Sequence, residues 1–357
     1  TNTVSRKSLK LMPVVTLGGS VDGDLEGGVA DLSENGTANS YIVSSAGLYK
    51  FSTVKGNSSE SVGAVSSAEV LWETFGTDVT PNVGDLLKNV KYADGTISFD
   101  TPSAFKEGNA VIAAKDASGN ILWSWHIWLT DQPEEQVYYN NAGTMMDRNL
   151  GATSATPGDV GALGLLYQWG RKDPFLGSSS ISSSTLAKST ITWPSAVASS
   201  SATGTVDYAI LNPTTFVTAS SSSEYDWHYA SRDNTLWTTS DKTKSIYDPC
   251  PAGWRVPDGG SNGIWSKAGF IDTTYDGTNE GISFSISSPS PTWYPASGYR
   301  RRSCSLYDVG YYGFYWSASP SGYGAYYLSF NGDGLVYPSL SYYRAGGQSV
   351  RCLQESK

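Results

Sequence analysis

The chain offers few residues for chemistry. Its 357 residues include two histidines, His126 and His228, and three cysteines, Cys250, Cys304 and Cys352. Two histidines cannot build a histidine-rich metal centre and leave few candidates for a general base. No Cys-x-x-Cys pair is present, and three cysteines cannot form a disulfide framework. Asp22-Gly23-Asp24 is too short for a calcium loop and lacks its distal liganding Glu, so it reads as a turn. No phosphate-cradling glycine loop, Gly-x-Ser-x-Gly elbow or His-Glu-x-x-His occurs. His126 reads as a surface or hydrogen-bonded residue. His228, in Tyr225-Asp226-Trp227-His228-Tyr229, could line a groove but is no metal site alone. No catalytic residue, metal or cofactor is expected, and the chain is not read as an enzyme.

Binding chemistry is concentrated in one segment. Residues 299–343 hold eleven of the 23 tyrosines and no Lys or Glu, with Ser, Gly, Asn and Asp between the rings. Tyr gives large rigid contact area at low entropy cost, and Ser, Gly and Asn adapt their hydrogen bonds. Neighbours in a strand point to opposite sides, so Tyr311-Tyr312, Tyr326-Tyr327 and Tyr342-Tyr343 cannot both face a core. About half of these rings should therefore be exposed. The competing reading is ordinary strand tyrosine packed on one face.

Under the binding reading, Trp316, Leu328, Phe330 and Val336 are framework. Ser329, Asn331, Asp333, Tyr337 and Tyr342 face the ligand. The ligand-binding set also takes in Tyr307, Asp308, Tyr311, Tyr312 and Phe314, then Tyr323, Tyr327, Ser341 and Tyr343. Arg301 and Arg302 join it, as a basic run that could hold an acidic group or stack on a ring; a solvated turn is the plain alternative. Asn331-Gly332-Asp333-Gly334 reads as a hairpin turn.

The elements that must position these residues are mostly strands. Met12–Leu17, Ser40–Phe51, Ala68–Phe75 and Asn109–Lys115 are strand candidates. Gly119–Thr130 is the clearest, with Trp123, Trp125, Ile127 and Leu129 alternating with Ser124, His126 and Trp128. One face is apolar and the other mixed, as in a sheet with one side buried. Asp131-Gln132-Pro133-Glu134-Glu135 reads as a domain boundary. Beyond it, residues 144–151 start a strand. Val160–Arg171 reads as a helix, with Pro157 and Asp159 suiting its start. Residues 178–223 read as surface loops with short strands. Ile264–Phe270 reads as a second short helix, and short strands run from Ile282 onward. The expected class is mainly β with few short helices (α+β): a β-sandwich over residues 1–133, then a second domain over residues 134–357.

Composition narrows the partners. With 24 basic and 33 acidic residues the net charge is −9, which argues against nucleic acid and anionic membranes as partners. No apolar run reaches the roughly 20 residues of a membrane helix. No signal peptide is seen, and Thr1 reads as a processing boundary.

Several segments of the second domain form an ordered set. They are Met146-Asp147-Arg148-Asn149-Leu150-Gly151, Tyr167 to Phe175 (YQWGRKDPF), Tyr247 to Pro257 (YDPCPAGWRVP), Tyr315-Trp316-Ser317-Ala318-Ser319 and Ser349-Val350-Arg351-Cys352. Over roughly residues 137–357 the chain resembles the "major paralogous" (FISUMP) domain of Bacteroidetes and Fibrobacter surface proteins. That resemblance implies a C-type lectin-like fold. Residues 1–131 more weakly resemble the β-sandwich that often precedes it. Residues 298–352 also look like the variable region of proteins diversified by diversity-generating retroelements. The matching framework is Gly298-Tyr299-Arg300, Val309-Gly310, Tyr315 to Pro320, Ala325-Tyr326 with Leu328 and Phe330, Val336 with Pro338, Arg344-Ala345 and Ser349-Val350-Arg351.

Cys250 and Cys352 lie in the recurrent motifs and Cys304 does not. A Cys250–Cys352 disulfide would suit an oxidising location; three buried free thiols are the alternative. The calcium-dependent sugar motifs of C-type lectins, Glu-Pro-Asn or Gln-Pro-Asp followed by Trp-Asn-Asp, are absent. Formylglycine-generating enzymes share a related fold but need a reactive cysteine pair in a groove, whereas Cys250 and Cys352 read as framework. The resemblance implies an exported cell-surface protein, anchored to the outer membrane as a precursor, that binds a protein or glycan ligand. Its sandwich would be a stalk or spacer. The second reading is a fimbrial or surface-assembly subunit whose tyrosine face packs on a partner subunit.

Overall fold

The computed structural model describes residues 28–219, 225–229 and 232–356. Met12–Leu17 and Asp22-Gly23-Asp24 lie outside them. The fold is mainly β, with two short α-helices, Val206–Leu211 and Ile264–Ala268, among the described residues.

The first unit is two four-stranded sheets packed face to face. One has the strand order Ala30–Asp31, Leu48–Ser52, Thr96–Asp100, Lys88–Ala93. The other has Ser40–Val43, Ile121–Leu129, Gly108–Lys115, Ser67–Thr74. Tyr49, Phe51, Ile97 and Phe99 from the first meet Ile112, Trp125 and Ile127 from the second. Phe51 and Trp125 have ring centroids 5.1 Å apart.

The mixed face of Ile121–Leu129 is buried as well, which corrects the expectation of a half-covered sheet. Trp72, Val111 and Trp128 share one core with Met146, Leu165 and Trp169 of the second unit. The polar residues between them are matched across the junction. Trp128 Nε1 donates to the Ala152 carbonyl at 2.8 Å and Asn109 Nδ2 to that of Gly151 at 2.8 Å. Ser124 Oγ donates to Asp173 at 2.5 Å, and Lys172 Nζ reaches the Ser124 carbonyl at 2.9 Å. His126 is buried, not a surface residue, and its Nε2 bonds Asn109 Oδ1 at 2.8 Å. Burial without a countercharge pushes its pKa down to about 3. The sandwich is thus packed against the second unit through this face.

In the second unit a seven-stranded sheet carries the tyrosine segment. Its order is Leu306–Tyr307, Tyr299–Arg300, Gly347–Ser349, Tyr312–Ser321, Gly324–Asn331, Val336–Tyr343, with Leu166–Gln168 also paired to Gly347–Ser349. A three-stranded sheet (Ile271–Asp276, Gly281–Ser285, Thr292–Pro295) packs behind it through Phe284 and Tyr294, against Tyr315, Leu328 and Phe330. Cys250 and Cys352 are joined by a disulfide with Cα atoms 6.0 Å apart.

Val160–Arg171 is not a helix. It holds one 3-10 turn, Val160–Ala162, and the strand Leu166–Gln168. Gly164 and Gly170 sit at φ 73° and 86°, outside the right-handed helical region, and they divide the segment. Asp159 does cap the turn by accepting from the Gly161 N–H. The helix Val206–Leu211, capped by Thr205, lies in the stretch read as loops.

Candidate functional site

Two hairpins build the face. Tyr312–Ser321 pairs with Gly324–Asn331, which pairs with Val336–Tyr343. Asn331 Oδ1 closes the second turn by accepting from the backbone N–H of Asp333 at 3.1 Å and of Leu335 at 3.0 Å, and Gly334 takes φ 78°. Gly324 is required at the other end: a Cβ there would stand 2.2 Å from the Tyr342 carbonyl oxygen.

Alternation sends Tyr315, Leu328 and Phe330 to one side, into the core shared with the three-stranded sheet. Phe314, Trp316 and Tyr327 go to the other side, where they join the large core. Trp316 Nε1 donates to the Tyr167 carbonyl at 2.9 Å, and Trp169 Nε1 donates to that of Ser317 at 2.8 Å. Val336 is half-buried against the first of these cores.

Of the residues expected to meet a ligand, Arg301, Arg302, Tyr307, Tyr311, Tyr323, Asp333, Tyr337, Ser341 and Tyr343 are exposed. Asp308, Tyr312 and Tyr342 are half-buried. Phe314, Tyr327, Ser329 and Asn331 are buried and leave the ligand-facing set. Ser329 lies between Phe314 and Tyr337 in the register, on a side already covered by larger rings. Asn331 is consumed by the turn. Tyr342 is part of the packing: its ring is 5.7 Å from that of Tyr299 and 6.0 Å from that of Tyr327. Burial raises the pKa of Tyr342, and takes Tyr327 up to about 12.

Several of the exposed rings have charged neighbours. Tyr311 donates its hydroxyl to Asp333 at 2.6 Å, and this bond to a carboxylate holds the phenol up at about 12. Arg301 lies 3.5 Å from the Tyr307 ring centroid, Arg302 4.3 Å from that of Tyr225 and 5.8 Å from that of Tyr343, and Arg232 3.9 Å from that of Tyr323. Arg300, by contrast, is buried and donates to the Leu176 carbonyl at 2.9 Å. Arg344 anchors the rim from beneath, reaching the Gly324 carbonyl at 3.0 Å and Asn234 Oδ1 at 2.6 Å.

Tyr225 and Leu340 belong to this surface and were not picked out from the sequence. Tyr225 comes from a loop about a hundred residues away, and no local signal places it there. Leu340, opposite Tyr327 in the register, is exposed although its type reads as core.

Cys304 is half-buried and accepts from Arg300 Nη1 at 3.3 Å; it is the only free thiol among the described residues. His228 is half-buried, with its backbone N–H bound to Asp226. Among the described residues no group of three or more His, Cys, Asp or Glu could hold a metal ion. No helix of the described residues is long and apolar enough to cross a membrane. An open cavity of about 550 Å³ lies elsewhere, between Pro157 and the sheet carrying Thr274 and Trp293. Compared with known proteins, the chain matches no family model, no curated protein and no solved structure.

Proposed function

We propose that this is an exported cell-surface recognition protein, an adhesin whose ligand meets the tyrosine rim of a C-type lectin-like domain. One observation carries the reading: Tyr307, Tyr311, Tyr323, Tyr337 and Tyr343 of one segment are exposed around a sheet whose other rings are packed into cores on both sides. Solvent-facing rings on fixed strands are the economical way to make an interface, because little entropy is lost when they bind. The disulfide suits an oxidising location. The framework and rim positions also fit a retroelement-diversified face, in which rim codons change and core codons do not.

Sequencing the 3′ end of the gene across many cells of one population tests diversification. Substitutions clustered at the codons for Arg301, Tyr311, Tyr337 and Tyr343, with a near-copy differing at adenines, would support it. An invariant segment with no near-copy would leave a fixed adhesin.

Recognition itself is tested on an array of glycans and surface proteins. We expect signals from the wild type that vanish in a Tyr307→Ser, Tyr323→Ser, Tyr337→Ser variant of unchanged melting temperature. Signals that survive in the variant would move recognition off this face.

A second reading, a surface-assembly subunit, rests on Val336–Tyr343 being an end strand of its sheet with Leu335 and Leu340 exposed beside it. Self-association in sedimentation, lost on Leu340→Asp, would favour it.

A further inference from the structure

The three-stranded sheet Ile271–Asp276, Gly281–Ser285, Thr292–Pro295 uses its two faces differently. Tyr275, Ile282 and Tyr294 are paired across it and point into the core that holds Tyr315, Leu328 and Phe330. Alternation sends the next row, Thr274, Ser283 and Trp293, to the opposite face, away from the seven-stranded sheet. That row lines the open cavity of about 550 Å³, and Pro157 and Pro291 stand at its sides. The volume is that of a small-ligand site.

The residues around this cleft are fitted to one another. Trp293 is only 8% exposed, yet it belongs to none of the hydrophobic cores of the described residues. Its indole lies against the middle strand instead, where a Cβ on Gly281 would stand 2.4 Å from Cζ2 of the ring. Its N–H is buried with no acceptor among the described residues. Such departures from full polar satisfaction gather at functional sites. Gly158 takes φ 80°, and a Cβ there would stand 2.2 Å from Asn279 Oδ1, so the loop carrying Pro157 closes tightly onto the turn carrying Asn279. Asp276 locks that turn, its carboxylate accepting from the Thr278 N–H at 2.8 Å, the Asn279 N–H at 3.1 Å and Asn279 Nδ2 at 2.7 Å.

The lining offers hydroxyl chemistry without free charge. The Thr274 and Ser283 hydroxyls have no hydrogen-bond partner among the described residues. No Lys or Arg lines the cleft, and its carboxylate, Asp276, is engaged by its own turn. An anion would find no countercharge here, and a purely apolar ligand would cover the two hydroxyls without bonding them. The ligand that fits carries hydroxyl donors and acceptors, apolar C–H faces for the prolines, and no charge.

We infer that this cleft is a second binding site and takes a neutral saccharide, a chain of uncharged hexose units entering from the open side. Its hydroxyls bond Thr274 and Ser283, and its C–H faces meet Pro157 and Pro291. The site lies apart from the tyrosine face and goes beyond the recognition role proposed above.

The test uses the full chain on an array of neutral oligosaccharides of glucose, mannose, galactose and N-acetylglucosamine, beside an array of extended peptides. We expect a signal on at least one neutral glycan that is unchanged between about 50 mM and about 300 mM salt, because no charge pair is there to be screened. Ser283→Phe fills the cleft and should weaken binding at least about tenfold at an unchanged melting temperature. The double variant Thr274→Val, Ser283→Ala removes both hydroxyls without adding bulk and should weaken it at least about threefold, which keeps the test open if Ser283→Phe fails to fold. No signal on any neutral glycan would overturn the proposal, as would a signal that neither cleft variant alters or one that salt abolishes. A cleft-dependent signal on peptides alone would overturn it in favour of a protein segment. Glycan binding lost in the Tyr307→Ser, Tyr323→Ser, Tyr337→Ser variant and kept in both cleft variants would overturn this site and support the tyrosine face. The reverse pattern would support this site and leave the tyrosine face without a glycan ligand.

Discussion

Tyr337 and Tyr342 lie five positions apart on one strand and have different surroundings. Tyr337 is exposed at the rim. Tyr342 is wedged among Tyr299, Phe314, Trp316 and Tyr327. Sequence alone put both in the ligand-facing set, since residue type and segment are the same. Packing separates them. Tyr342→Ala should cost about 1.5–3 kcal/mol, the low side of aromatic truncation because the ring is half-buried. Tyr337→Ser should stay within about 0.5 kcal/mol. Urea melts of the two variants check this. Equal losses would mean that Tyr337 is structural and that the rim is smaller than drawn here.

At the scale of the element, the strand Ile121–Leu129 shows what alternation conveys and what it omits. Its period of two places Trp123, Trp125 and Ile127 in the sandwich core. It does not say that a second layer covers Ser124, His126 and Trp128. That layer has a pH signature. The folded state holds His126 neutral down to about 3, whereas an unfolded histidine titrates near 6.5. Below about 6.5 the unfolded chain therefore binds the extra proton, and stability falls as pH falls through that window, by at most about 1.4 kcal/mol per pH unit. Asp248 acts oppositely. Burial raises its carboxyl to about 6 despite Lys244 nearby, so its contribution is present in acid and lost as pH rises through about 6. Comparing wild type with His126→Asn removes the Asp248 share. The wild type should lose more stability than the variant between pH 7 and pH 4, and parallel melting curves would show that His126 is hydrated.

For the whole molecule, the consequential feature is the core that runs from Trp72, Val111 and Trp128 into Met146, Leu165 and Trp169. A sandwich hinged as a stalk would melt on its own. Two units that share indoles, with Asn109, Ser124 and Lys172 bonded across the junction, should unfold together. Calorimetry should give one transition, and Trp128→Ala should lower it or split it in two. Two separate transitions in the wild type would mean that the junction contributes little.

Much of this protein could be read from its sequence. Alternation marked the strong strands, Asn331-Gly332-Asp333-Gly334 marked the turn, and tyrosine density without Lys or Glu marked the candidate face. These are local properties, set by which side of a pleat a residue takes and which φ it tolerates. Tertiary structure alone decided the rest. Gly164 and Gly170 ended a helix that the apolar spacing suggested, because their left-handed backbone is settled by the strands they join. Phe314, Tyr327, Ser329 and Asn331 left the ligand-facing set, and Tyr225 entered its neighbourhood, because burial depends on layers and loops distant in the chain. Both sides of a strand look alike in sequence until another element covers one of them.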